Sequence, residues 1–254
     1  MEYRSQGYAT HGRRPSRSQR PDKALYMTES LLEDDTDSNI LSHLTDQDRT
    51  RLLDLGQRCD YAPGDHFFHQ GEPHTGIHLI EYGRVRSYYT SQAGREITLG
   101  YWTADHFLGA PQIFGGGFHM WSSVAVEPSQ GVWLPGRELK ALAYQIPGLA
   151  IGLIEGLVHK GKCYAALLQL VGTRPMCKRL AHLLLTLAGD HGEQNGGRTA
   201  LDRRFTHEEL ANMIGATRQW VSLTLERFEK ASLVARDGAY IVVLDRKRLL
   251  ERSL

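Results

Sequence analysis

The chain has 254 residues, of which 41% are hydrophobic and 23% are charged, and its formal net charge is +1. This length fits one or two domains, and near-neutrality excludes a polybasic protein that coats nucleic acid indiscriminately. Three scattered cysteines (Cys59, Cys163 and Cys177) indicate a reducing cytoplasm rather than a disulfide scaffold. The sequence has no signal peptide and no membrane-spanning apolar run, so we expect a cytoplasmic protein without a membrane partner.

The N-terminal segment, residues 1–38, is basic and polar at first and then acidic, with little to bury. This composition predicts a disordered tail. Two alternatives stay open: the first residues could be a basic arm that touches DNA, or residues 1–26 could precede a natural start at Met27. Beyond the tail, apolar residues between Ile40 and Leu55 predict a short amphipathic helix, with Thr45 as its N-cap.

Residues 39–146 include many short β-type runs separated by glycines. Ile77-His78-Leu79-Ile80 and Ile97-Thr98-Leu99 are two such runs, and Pro63-Gly64-Asp65 is one of the turn signals. Many short strands with regularly spaced turns predict a β-barrel or a β-roll.

Residues 147–172 predict one long helix, running from about Gly148 to Val171. One stripe of this helix repeats small and apolar residues with a seven-residue period, namely Ile151, Ile154, Val158, Gly161, Ala165 and Leu168. Such a narrow seam is typical of a coiled-coil contact, so we predict a homodimer. The alternative is a helix that packs only on its own roll.

Residues 173–254 predict a winged helix domain. A proline break at Thr173-Arg174-Pro175 precedes an apolar helix over residues 176–188, and a later hairpin turns at Asp237-Gly238. Between them, residues 205–234 read as two helices joined by a tight turn at Gly215.

The caps of these two helices are readable from the sequence. Thr206 and Glu209 form a capping box for the first helix, and Thr217 caps the second. Arg218, Gln219 and Ser222 face outward on the second helix, where arginine can bridge guanine and glutamine can bridge adenine. This is the helix-turn-helix layout, and we predict that it reads a double-stranded DNA operator.

The order of these parts resembles the Crp/Fnr family of bacterial transcription regulators. The resemblance covers roughly residues 40–250, and its most specific segments are Gly71-Glu72, Gly83-Arg84-Val85, residues 105–109 and residues 206–234. It implies an α+β chain with a cyclic-nucleotide-binding-like β-roll, a long dimerisation helix and a C-terminal winged helix-turn-helix domain. It also implies a small effector in the roll, a relay through the central helix and RNA polymerase as a partner, and leaves open activation or repression.

The resemblance carries over to single residues of the second helix. The family's base-reading positions fall on Arg218, Gln219 and Ser222, and Thr206 and Thr217 resemble its phosphate contacts. Leu223 stands where the family usually has a base-reading arginine, and Gln219 replaces a frequent glutamate. We therefore expect an operator that departs from the common family half-site.

The family's cyclic-nucleotide clamp is missing. The positions that hold the ribose and the cyclic phosphate read Gly109-Ala110-Pro111 and Met120-Trp121, which cannot pair a buried phosphate, so we expect no response to cyclic AMP. Lys160 and Tyr164 share a helix face towards the roll and suit a small aromatic or acyl carboxylate. The alternative is a filled roll without a ligand. By family position the predicted pocket consists of Ser87, Leu99, Gly100, Gly109, Ala110, Met120, Trp121, Lys160 and Tyr164.

Cofactor and enzyme functions are the remaining alternatives. No cysteine precedes Cys59, which disfavours an iron–sulfur cluster, and the histidine spacings match no recurring zinc pattern. Several histidines between His66 and His119 leave haem or metal sensing, or a cupin-like metal-binding enzyme, as minor alternatives. No catalytic motif stands out, so the sequence predicts a protein that is not an enzyme and has no resident cofactor.

Overall fold

The computed structural model describes residues 39–189, 198–201 and 203–253. The predicted disordered tail, residues 1–38, therefore lies outside the described residues. The first described helix, α1 (Asp46–Asp54), begins where the sequence predicted it, because the Thr45 hydroxyl accepts a hydrogen bond from the Asp48 amide.

Eight strands form a roll of two four-stranded antiparallel sheets. One sheet has the order β1-β8-β3-β6 and the other has the order β2-β7-β4-β5. The strands are β1 (Gln57–Tyr61), β2 (His66–Phe68), β3 (Gly76–Tyr82), β4 (Val85–Thr90), β5 (Glu96–Trp102), β6 (Phe107–Leu108), β7 (Ser122–Ala125) and β8 (Ser129–Pro135).

Three helices follow the roll. Helix α2 (Gly136–Gln145) was not predicted, and it packs on the roll through Leu139 and Leu142. Helix α3 (Pro147–Thr173) is the long central helix. It tolerates a proline at its first position because backbone amides in the first turn of a helix have no partner within the helix. Helix α4 (Met176–Ala188) lies beyond the predicted proline break.

The C-terminal part is a winged helix domain, as the sequence predicted. Helices α5 (His207–Ile214) and α6 (Arg218–Lys230) precede the wing strands β10 (Val234–Asp237) and β11 (Tyr240–Val243). A short strand, β9 (Thr199–Ala200), adds to the edge of the wing, and helix α7 (Arg246–Ser253) packs against α4. The sequence had predicted neither of these last two elements.

The buried apolar residues fall into two clusters. One lies between α1, α2, the start of α3 and one sheet of the roll, and includes Leu79, Leu139 and Leu149. The other continues from the second sheet along α3 into the winged domain, and includes Trp102, Leu167 and Leu184. The roll and the winged domain are therefore in contact through side chains as well as through the chain.

Candidate DNA-reading and effector sites

The two helices of the helix-turn-helix begin and end where local chemistry dictates. Both bonds of the Thr206–Glu209 capping box are present. Gly215 ends α5 in the left-handed conformation, with φ of 70°, which a side chain would resist. The Thr217 hydroxyl then accepts from the Trp220 amide, 3.2 Å away, and starts α6.

The core of this unit and its outer face are also as predicted. Val221, Leu225 and Phe228 are buried, whereas Arg218 and Gln219 are exposed at the start of α6. Thr206 and Thr217 are exposed too, at the N-termini of α5 and α6, where free amides favour phosphate. Four of the five predicted DNA contacts therefore lie exposed on two adjacent helix starts, but their contact with DNA stays a prediction.

Ser222 differs from the other reading residues, because it is half-buried and already has a partner. Its hydroxyl lies 3.0 Å from Nδ1 of His207 on α5. Burial and the nearby Arg236 and Arg218 charges lower the pKa of His207 below its usual 6.5. The serine thus ties the two helices together from the side that faces outward.

The interior of the roll holds a buried ammonium group. Lys160 on α3 is 4% exposed, and its Nζ lies 3.4 Å from the centre of the Trp102 ring and 5.1 Å from that of Phe107. Burial lowers the pKa of this amine from 10.5 to about 7. Among the described residues, no carboxylate forms an ion pair with it. The amine is thus held against aromatic faces without an anion, and it carries its positive charge below about pH 7.

A row of polar groups continues from Lys160 across the roll. The Trp102 indole nitrogen donates to the Ser87 hydroxyl at 3.0 Å, and Ser87 lies 2.7 Å from the Ser123 hydroxyl. The rings of His106 and His159 lie 5.5 Å apart beside Trp102. Burial, with the Lys160 charge next, lowers the pKa of His106 to about 4, so this imidazole is neutral at pH 7.

A second group of histidines packs with aromatic rings of the roll. His74, His78 and His119 pack with Phe67 and Phe68, and burial lowers the pKa of His78 to about 3 and that of His119 to about 4. Within the described residues, no three His, Cys, Asp or Glu side chains are arranged to hold a metal ion. The rings of His78 and His119 are therefore neutral at pH 7.

The structure brings together only part of the predicted effector pocket. Ser87, Gly100 and Lys160 are buried, and the half-buried Leu99 packs against the apolar cluster that includes Trp102; the ring of Trp121 lies 5.8 Å from that of Tyr164. The remaining predicted residues lie apart from this group. Gly109 accepts a hydrogen bond from His74, Ala110 packs in the other apolar cluster, and Met120 is 62% exposed.

Sequence reasoning missed the aromatic neighbours of Lys160. Trp102 and Phe107 touch the amine, yet the chain offers them only as apolar residues at a strand end and a strand start. A bulge in the pairing of β4 with β5, between Ser87 and Tyr88, changes which residues of β5 face inward. Strand alternation alone therefore could not place Trp102.

The predicted dimer seam of α3 lies on the face opposite the roll. Leu149, Leu153 and Cys163 are buried against the roll, whereas Ile154 is 55% and Leu168 is 72% exposed. A Cβ added to Gly161 would meet nothing within 4 Å. The helix therefore has one apolar face that its own chain covers and one that its own chain leaves open.

Comparisons with known proteins agree with this architecture. The cyclic nucleotide-binding domain matches residues 58–145, and the Crp-like helix-turn-helix domain matches residues 178–252. The CRP-like cAMP-activated global transcriptional regulator of Mycobacterium tuberculosis is 26% identical over 198 residues, which cover 78% of this chain and 88% of that protein.

Solved structures show the same fold. The c-di-GMP responsive global regulator CLP of Xanthomonas campestris superposes with a TM-score of 0.71 at 17% identity, covering 78% of this chain and 99% of that one. A CooA mutant from Carboxydothermus hydrogenoformans gives 0.69 at 22% identity, covering 86% and 97%. In the described part of the chain, no helix is both long and apolar enough to cross a membrane.

A cyclic-nucleotide-binding type of roll followed by a Crp-like helix-turn-helix defines a class of DNA-binding transcription regulators. The chain belongs to the Crp/Fnr family. Members of this family are regulators and not enzymes, which confirms the sequence prediction on that point.

Proposed function

We propose that this chain is a homodimeric transcription regulator whose operator affinity is set by a small anion bound in the roll, and that cyclic AMP is not that anion. The observation that supports the effector is Lys160, a buried ammonium held against Trp102 without a carboxylate partner in the described residues. Burying an unpaired charge is costly, so a site that keeps one is suited to receive the opposite charge.

The DNA-reading part of the proposal rests on the start of α6. Arg218 and Gln219 are exposed there, and among the described residues neither side chain forms a hydrogen bond, so no group of the chain itself occupies their polar atoms. A bidentate arginine–guanine contact contributes about 1–3 kcal/mol of discrimination. Ser222 either keeps its hydrogen bond to His207, which holds the two helices together, or exchanges that bond for a hydrogen bond to a base.

The test is operator selection from random duplex DNA with three proteins. Arg218→Ala should lose about 1–3 kcal/mol of specific binding and relax one base position. Lys230→Ala removes an exposed charge from the far end of the same helix, and should weaken binding without changing the selected sequence. Equal changes in the two selected profiles would show that α6 is not the reading helix.

The homodimer is supported by the open face of α3. Ile154, Val158 and Leu168 are exposed apolar side chains on this face, and Gly161 leaves room for a second helix to approach closely. Ile154→Asp should therefore give monomers in light scattering and abolish binding to a two-half-site operator, because the carboxylate would lose its water at the contact. Glu155→Asp is the matched control on the neighbouring exposed position. A dimeric Ile154→Asp protein would rule out this seam.

The effector's chemistry is read from the walls around Lys160. Trp102 and Phe107 offer flat apolar faces, and Trp121 with Tyr164 forms an aromatic pair nearby. An aromatic or acyl carboxylate would place its anion on Lys160 and its apolar body against these rings.

Thermal shift with matched pairs tests this chemistry. Benzoate and phenylacetate are compared with benzamide and phenylacetamide, which keep the shape and lose the charge. We expect the carboxylates alone to raise the melting temperature, because a ligand stabilises the folded state that binds it. Equal shifts from acid and amide would exclude Lys160 as the recognition group. Trp121→Ala should weaken the carboxylate response through lost contact area.

A further inference from the structure

The hairpin between β4 and β5 reaches from the roll to the turn of the helix-turn-helix. Arg95, at the base of this hairpin, donates a hydrogen bond from its guanidinium to the backbone carbonyl of Gly215. Gly215 is the residue that ends α5, so its carbonyl is among those that a helix leaves without an internal partner. A cation is also favoured at this negative end of the α5 dipole.

Hydrogen bonds within the hairpin define its shape. Ser91 accepts a hydrogen bond from the Arg95 amide through its hydroxyl, at 3.1 Å, and donates one to the Arg95 carbonyl from its own amide, at 2.9 Å. Gly94 completes the turn with a φ of 75°. Glu96 follows Arg95 and is the first residue of β5. Its carboxylate accepts a hydrogen bond from the Arg86 guanidinium at 2.6 Å, which ties β5 to β4.

The contact places the hairpin beside the start of α6, the reading helix. A cleft of about 390 Å³ lies between the two parts, lined on the roll side by Arg95 and Glu96. Its other wall belongs to the helix-turn-helix and consists of Glu208, Asn212, Thr217 and Arg218. The cleft therefore contains two residues that the proposed function assigns to DNA.

The hairpin lies on the side of these two residues from which a duplex would approach both helix starts. Reading requires α6 to enter a major groove about 12 Å wide, with phosphates passing the N-termini of both helices. The β4–β5 hairpin borders that space, because Arg95 contacts Gly215 and lines the same cleft as Thr217 and Arg218. The arrangement is therefore one in which the roll covers its own DNA-reading surface.

We propose that the β4–β5 hairpin is an autoinhibitory latch, with Arg95 on the Gly215 carbonyl as its closing contact. The latch keeps the helix-turn-helix closed until the hairpin moves away. This inference rests on the proposed DNA-reading role of Thr217 and Arg218, and it adds the element of this chain that blocks them.

Strand β5 connects the latch to the buried amine. It begins directly after Arg95 and ends at Trp102, whose ring lies under Nζ of Lys160. The preceding residue, Tyr101, contacts the winged domain instead, with the Arg203 guanidinium 5.6 Å from its ring. Trp102 and Tyr101 are consecutive residues of β5 and point to opposite faces of the strand. A shift of Trp102 on anion binding would therefore displace the strand, and with it both Tyr101 and the hairpin at the other end of β5.

The latch is tested with Arg95→Ala, in the full chain and without added effector. The variant should bind a selected operator about two- to tenfold more tightly than the wild type, the range expected when an exposed hydrogen bond of the closed state is lost. Arg137→Ala is the matched control, because it removes an exposed arginine from α2 that makes no such contact. Loss of a cation alone weakens DNA binding, so a gain in the first variant cannot come from charge.

Amide hydrogen exchange tests the contact without DNA. Residues 91–96 and 213–219 should both exchange faster in Arg95→Ala, and at the wild-type rate in Arg137→Ala. Arg95→Lys keeps a cationic donor and should stay closer to the wild type in both measurements. Unchanged exchange in Arg95→Ala, or operator affinity no better than that of Arg137→Ala, would overturn the latch. A wild type that selects no operator would instead contradict the proposed function, while exchange would still decide on the contact.

Discussion

The roll and the winged domain place polar groups in opposite ways. Within the described residues, the buried polar side chains of the winged domain are Asn212 and Thr224, both uncharged. The roll and α3 bury a lysine, two histidines and several serines. An apolar core makes a rigid frame that presents its functional side chains at the surface. A polar interior is energetically costly and is typical of a region that binds a ligand. The two regions should therefore respond differently to a buried charge.

The largest effect should come from placing a lysine in the winged domain's core. Met213, 1% exposed on α5, packs among apolar side chains. Met213→Lys should destabilise this domain by more than ~4 kcal/mol, because the ammonium would have no anion and no water. Circular dichroism and amide exchange of residues 203–245 measure the loss.

The control for this substitution is Leu250→Lys, which adds the same charge at an exposed position of α7. It should leave the domain folded. A folded, operator-binding Met213→Lys protein would show that the winged domain tolerates a buried charge as well as the roll does.

The reverse substitution in the roll should stabilise the protein. Lys160→Met keeps most of the volume, removes the buried ammonium and should raise the free energy of unfolding at pH 7 by on the order of 2 kcal/mol. The same variant should lose the response to carboxylates while remaining dimeric. A destabilised variant that still responds would contradict the role given to the amine.

The pH dependence of this gain follows from the amine's lowered pKa. The pKa of Lys160 falls from 10.5 to about 7, so between these pH values the unfolded chain holds a proton that the folded chain releases. Native stability therefore rises with pH through this window. The advantage of Lys160→Met, measured by urea denaturation, should be full below pH 7 and should shrink as the pH approaches 10.5.

The histidines of the roll predict a smaller, acid-side effect. Burial, with His119 and His74 nearby, lowers the pKa of His78 from 6.5 to about 3, so the unfolded chain gains a proton there that the folded chain does not. Native stability should fall as the pH drops through this window. His78→Leu should reduce the loss between pH 7 and pH 5 by about 1–2 kcal/mol in urea midpoints. An unchanged acid slope would mean that the ring protonates without unfolding.

The same contrast explains how far the sequence could predict the structure. The caps of α5 and α6, the turn at Gly215 and the inward residues Val221 and Phe228 depend on neighbours within one or two helical turns. They were therefore readable, and the structure confirms them. The β-roll and the winged domain were confirmed as the fold class.

The interior of the roll could not be read in that way. Which side chains meet Lys160 depends on pairings between distant strands and on the bulge that shifts β5. Trp102 and Phe107 were missed for this reason, and Met120, expected in the pocket, lies at the surface. The contact between Arg95 and Gly215 joins residues 120 positions apart, and no local pattern marks it.

The last prediction is that cyclic AMP has no effect on the protein. The Mycobacterium tuberculosis relative is a cAMP-activated regulator by name, so this nucleotide is the natural first candidate for the roll. A cyclic phosphate needs a paired cation, and the positions that resemble the family's clamp hold Met120 and Trp121, of which Met120 faces solvent. Ala110, at the ribose position, is packed in an apolar cluster and offers no side-chain acceptor.

Millimolar cyclic AMP should therefore change neither the melting temperature nor the affinity for a selected operator, under conditions where benzoate changes the melting temperature. We do not expect Lys160 to replace the clamp, because its Nζ lies over Trp102 and Phe107 on the α3 side of the roll. If cyclic AMP did stabilise the protein, Lys160→Met would show whether the amine binds the phosphate. A response that survives this substitution would mean that the roll recognises the nucleotide through groups other than Lys160. Anion binding at the buried amine would then no longer explain why the interior of the roll is polar and the core of the winged domain is apolar.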